Sequence, residues 1–202
     1  MRLSTKAVLT AAALSCVPMI AQADSQFVSG AGNASAHLDF RITVPRVLFL
    51  QVGTGTASAN NGTIDLIDFV APTTTMGNGT AVAGTGGDVG AGTVSAKVVG
   101  NNGDVTFSST TTGPLTSGTD TISYNEITAT AAPVGGATLL PHPTLIDAGT
   151  TSIPLAAAGA TKVVNREARW TFTYDNTAMV AAGTYGGVNT GHGRVLYTAV
   201  MP

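Results

Sequence analysis

A single cysteine serves the whole 202-residue chain, Cys16, and it falls inside the first 23 residues. Those residues have the three parts of an export signal. They comprise a basic head (Arg2, Lys6), an apolar stretch over residues 7–20 with Pro18 near its end, and Ala21-Gln22-Ala23, the small-x-small form that signal peptidases cut. With residues 1–23 cleaved as a signal peptide, the expected mature chain begins at Asp24, is exported, and has no thiol. Thiol catalysis, disulfide scaffolding and thiolate metal sites are excluded together. The apolar stretch is shorter than the ~20 residues that span a bilayer and is broken by Pro18, so no membrane span is expected in the mature chain.

Charge is equally scarce. Charged side chains make up 10% of the sequence, against about 25% in ordinary soluble domains. Two of the nine Lys and Arg lie in the export segment, which leaves seven against eleven Asp and Glu, or −4 for the mature chain. That balance excludes a basic nucleic-acid footprint. Neutral small residues take the place of charge, and such a surface does little to hold copies of the protein apart. It suits a structural polymer better than an enzyme.

Catalytic and cofactor signatures are missing as well. The three histidines, His37, His142 and His192, have no Gly-x-Ser-x-Gly to serve, and no acid–base pair can be located. His192 reads as a surface turn residue in Gly191-His192-Gly193, and His142, between Pro141 and Pro143, as a rigid loop tip. The glycine-rich loops lack the Gly-Lys-Ser/Thr that holds a phosphate. The stretch from Gly84 to Gly90 is similar to one turn of a calcium-binding nonapeptide repeat, but a single copy cannot complete that site. Asp65 and Asp68 read as solvated turn carboxylates. No cofactor, no metal and no enzymatic activity are expected.

What the chain does have is period-two alternation. Over residues 36–44, Leu38, Phe40, Ile42 and Val44 alternate with His37, Asp39, Arg41 and Thr43, and Pro45 ends the run. Denser or alternating apolar runs recur at residues 46–52, 63–70, 93–99, 104–108, 121–128, 168–174 and 194–200. Asn61-Gly62, Asn78-Gly79 and Asn102-Gly103 supply tight turns. Residues 53–62, 72–92 and 131–159 read as loops, the last two long enough to hide further strands. Helical periodicity does not recur, and the one stretch that could hold a helix is residues 155–164. The fold class is all-β: one immunoglobulin-like or jelly-roll antiparallel β-sandwich with long loops over residues 46–202, preceded by an N-terminal extension at residues 24–45. Trp170, Phe172 and Tyr174 on one strand face belong to its core. Tyr185, between Gly183 and Gly187, is the aromatic best placed to touch a glycan or another surface.

Two ends of the chain resemble those of chaperone–usher-type pilus subunits and related bacterial fimbrial or coat proteins. The amino end carries Leu38-Asp39-Phe40-Arg41-Ile42-Thr43-Val44, a break, and a first core strand ending in Val52-Gly53. The carboxyl end carries Ala182-Gly183-Thr184-Tyr185 and the closing strand Arg194-Val195-Leu196-Tyr197-Thr198-Ala199-Val200. The sequence departs from the pattern in having no cysteine pair, and in placing Tyr197 sixth from the end. The resemblance implies a filament subunit that lends an N-terminal strand to its neighbour by β-strand addition. Leu38, Phe40, Ile42 and Val44 would be the seated side chains and Pro45 the hinge. The implied partners are copies of the same chain, a periplasmic chaperone and an outer-membrane usher, and the implied destination is the cell surface. Retention of the strand in its own sheet stays open, as does a secreted monomeric adhesin or carbohydrate-binding module using Tyr185.

Overall fold

The computed structural model describes residues 25–56 and 58–202. The expected export segment at residues 1–23 lies outside the described residues. The chain divides into two units, Met1–Val44 and Pro45–Pro202. In the first, residues 25–44 form no strand and every one is exposed.

The second unit is an all-β antiparallel sandwich, and among the described residues it has no α-helix. Its strands are β1 (Leu48–Val52), β2 (Ile67–Asp68), β3 (Val82–Ala83), β4 (Thr85–Gly86), β5 (Thr93–Gly100), β6 (Val105–Thr110), β7 (Leu115–Ser117), β8 (Asp120–Ile122), β9 (Ile127–Pro133), β10 (Thr138–Leu139), β11 (Thr150–Leu155), β12 (Val164–Tyr174) and β13 (Leu196–Val200). The spine of the larger sheet is the 11-residue β12. One of its edges carries β5 along residues 164–171 and β3 at residues 173–174; the other carries β9 along residues 168–174 and, in parallel, β10 at residues 166–167. On the far side of β5 lies β1, which closes that end of the sheet. The smaller sheet is β11-β6-β13, antiparallel throughout.

Alternation explains how the two sheets meet. In β5, Val94, Ala96 and Val98 turn inward while Thr93, Ser95 and Lys97 face out; in β12, Val164, Ala168, Trp170, Phe172 and Tyr174 turn inward. All but Tyr174, which meets Phe69 instead, pack against Val105 and Phe107 of β6 and Leu155 of β11, forming one core between the layers. Trp170 and Phe107 stack across it with centroids 5.9 Å apart, and the indole N–H donates to the Leu140 carbonyl at 2.9 Å. The outer face is knitted by polar pairs, among them Thr128–Thr173, Thr93–Thr171 and Lys97–Glu167.

Several expectations are corrected by local geometry. The long loops at residues 72–92 and 131–159 contain β3 and β4, and β10 and β11. Pro154 hides β11 in the sequence, yet β11 pairs on one side only, where a proline is tolerated. The run at residues 121–128 is not one strand. Ser123 caps a 3-10 turn, Tyr124–Glu126, that buries Tyr124, and pairing resumes at Ile127. Residues 63–70 yield only the short β2, with Ile67 and Phe69 packed on the core. Residues 36–44, expected as an alternating strand, form no strand.

Candidate functional site

Three features carry the chemistry of interaction: the amino-terminal ribbon, one open edge of the sandwich, and an aromatic cage beneath that edge. In the ribbon, Leu38, Phe40, Ile42 and Val44 are 77%, 84%, 87% and 74% exposed. Four large apolar side chains on one face of an alternating segment stand in water. Alternation provides such a face, but an isolated ribbon is marginal in water, and among the described residues the segment 25–44 pairs with no strand. Pro45, the expected hinge, is the first residue of the sandwich unit. Its carbonyl accepts from Asn101 Nδ2, and the Val47 N–H donates to Asn101 Oδ1, both at 2.8 Å. Asn101 thus pins the entry to β1.

The open edge belongs to β1 and β13. β1 pairs only with β5 and β13 only with β6, and among the described residues no other backbone hydrogen bond reaches residues 48–52 or 196–200. The two strands approach each other, one from each sheet. Between them Leu50 and Val52 of β1, and Tyr197 and Ala199 of β13, are only partly buried against the core. At one end the gap narrows around Gly100: a Cβ there would lie 3.1 Å from Met201 Sδ and 3.5 Å from Leu48 Cδ1. Asn102 holds this end, donating from Nδ2 to the Pro202 carbonyl at 2.6 Å. Leu140 is buried in the core between the sheets, and Pro143 and Leu145 on the same loop are buried too. An open edge with half-covered apolar side chains can accept another strand, in ladder and in packing at once.

Beneath β13 lies His142. The sequence places it at a rigid loop tip, whereas the chain around Pro141 and Pro143 turns it between the sheets. Its ring meets Trp170, Phe172 and Tyr197 edge-on, with centroids 4.7, 5.2 and 5.6 Å away. Nε2 shares a 2.7 Å hydrogen bond with the Tyr197 hydroxyl. Burial disfavours the charged imidazole and pushes its pKa down to about 4. The Tyr197 phenol is pushed up, by burial first and then by Tyr124. The signal available in the sequence was Tyr197 itself, in phase with Ala199 on the inner face of the last strand. Nothing in the sequence pairs it with a histidine 55 residues earlier.

The remaining candidates are dispersed. Tyr185 is half-buried, and its hydroxyl donates to the Ala181 carbonyl at 2.8 Å. It lines a shallow polar recess with Thr119, Asp120, Thr121 and Met179. His192 is an exposed turn residue at φ +57°, with Nδ1 3.0 Å from the Pro114 carbonyl. Among the described residues no group of three His, Cys, Asp or Glu side chains is placed to hold a metal, and no helix is long and apolar enough to cross a membrane. No protein-family model, curated protein or solved structure matches the chain.

Proposed function

We propose that this protein is a structural subunit of an extracellular filament, and that it polymerises by lending residues 36–44 to the edge between β1 and β13 of the next subunit. The observation that carries the reading is a complementary need. An alternating ribbon exposes Leu38, Phe40, Ile42 and Val44, and the sandwich leaves two facing strand edges unpaired over half-covered apolar side chains. A donated strand supplies ladder hydrogen bonds to the edge, and its alternate side chains complete the core. Fully burying four such side chains is worth roughly 6–12 kcal/mol before the cost of ordering the ribbon. The donor of one subunit and the acceptor of another are different surfaces, so the contact is head-to-tail and extends into a fibre.

Export, a cell-surface location and assistance by a periplasmic chaperone and an outer-membrane usher follow from the same reading. An unfilled edge is an aggregation hazard in transit and has to be covered until a donor arrives. Electron microscopy of material sheared from expressing cells tests this. Regular fibres lost on deletion of residues 24–44 support the proposal. Monomers that are unaffected by the deletion and still bind glycans would instead support a secreted adhesin or carbohydrate-binding module built around Tyr185.

A further inference from the structure

We propose that His142 is an acid-sensitive latch under β13, whose protonation loosens the strand that accepts the donor; its effect on the filament joint rests on the polymerisation reading above. His142 is the one polar ring in a cage of Trp170 and Phe172 from β12 and Tyr197 from β13, and its bond to the Tyr197 hydroxyl ties residues 140–147 to the acceptor strand. Tyr197 also stacks on Phe107 at 6.0 Å and lies 5.5 Å from Trp170, so its ring links both sheets.

Among the described residues a proton on His142 finds no counter-charge. β12 presents only Trp170 and Phe172 to it, β13 presents the neutral phenol of Tyr197, and Phe107 of β6 stacks on Tyr197 and Trp170. On the loop carrying His142 the charged group is Asp147, and its Oδ1 is taken by the Tyr124 backbone N–H at 2.8 Å. Tyr124 in turn donates its hydroxyl to the His192 carbonyl. Burial is what holds the imidazole pKa down. Ring faces attract a cation, but less than the water it gives up. The charged ring therefore leaves the cage, and Tyr197 loses its partner and its support. The sign follows from the two states. Unfolded His142 titrates near 6.5 and folded His142 near 4, so the unfolded chain binds more protons in that window. The stabilisation that the neutral ring gives the closed latch is complete above pH 6.5 and is lost progressively as the pH falls towards 4.

Trp170 is the sole tryptophan, so its fluorescence reports the cage directly. The test compares the subunit from Asp24 onward and its filaments between pH 7.5 and 4.5. The wild type should lose resistance to urea and shift its tryptophan emission as the pH falls, and its filaments should release subunits at least about tenfold faster at pH 4.5. His142→Gln keeps a polar group near Tyr197 but cannot titrate, and should remove most of that acid response. A wild-type urea midpoint that is flat across this range, or a His142→Gln protein with the same acid slope, overturns the latch. If His142→Gln does not fold, ring resonances of His142 in the wild-type chain decide instead: they must remain those of neutral imidazole at pH 5.5, and a protonated ring there refutes the proposal. If no filaments form at any pH the polymerisation reading fails, while the subunit's own acid response still judges the latch. If filaments form and the subunit responds but release does not, the link to the joint is refuted.

Discussion

Alanine at Phe40 should shorten the life of the subunit joint without touching the stability of the subunit. Phe40 is 84% exposed in the single chain, so nearly all of its ring is available for burial in a neighbour. Fully burying such a side chain is worth about 1.5–3 kcal/mol, and a retained Cβ keeps part of that, so the loss is about 2 kcal/mol. Each 1.4 kcal/mol is a factor of ten, so the joint should dissociate about 30-fold more readily. The assay is subunit release from purified filaments in mild denaturant, followed by sedimentation. Leu38→Ala, Ile42→Ala and Val44→Ala should act in the same direction, while Asp39→Ala, Arg41→Ala and Thr43→Ala should change release by less than about threefold, because a strand turns alternate side chains to opposite faces. Urea unfolding of each isolated variant should stay within about 0.5 kcal/mol of wild type, as for other exposed positions. Equal effects at odd and even positions would refute the seating of one face in a groove. So would loss of subunit stability on Phe40→Ala.

Other perturbations test the sandwich itself. Phe107→Ala removes a fully buried ring stacked on Trp170 and Tyr197; it should cost about 3–5 kcal/mol in denaturant unfolding. Asn176 is buried at φ +52°, and its side chain accepts from the Gly77 N–H and donates to the carbonyls of Thr75 and Thr80. Asn176→Ala strands all three backbone groups and strains the backbone, so a loss of at least about 2 kcal/mol is expected. Lys97→Met should change stability by less than about 1 kcal/mol, because the 2.8 Å Lys97–Glu167 pair sits half-exposed on the outer sheet face.

The strands that build the core were legible because they alternate cleanly. Residues 93–99 and 168–174 show in sequence the inward Val, Ala and aromatic series that β5 and β12 bury, and residues 194–200 contain β13. β11 was not legible, since Pro154 masks an edge strand and its inward residues are only Thr151, Ile153 and Leu155. The break before β9 depends on a capped 3-10 turn that a single serine specifies, and its sequence otherwise continues an alternating pattern. The ribbon at residues 36–44 reads as a strand because alternation records what a segment buries when paired, and does not say in which molecule. The acceptor edge and the His142 cage are tertiary properties. The first is set by which strands lack neighbours, and the second by a loop that folds inward between prolines.

The most direct test is a structure of the assembled filament determined by electron cryo-microscopy. The expected result is residues 36–44 of one subunit lying as a strand between β1 and β13 of the next, with Leu38, Phe40, Ile42 and Val44 turned towards Leu50, Val52, Tyr197 and Ala199. A filament in which those residues pair within their own subunit, or touch no strand edge at all, contradicts it.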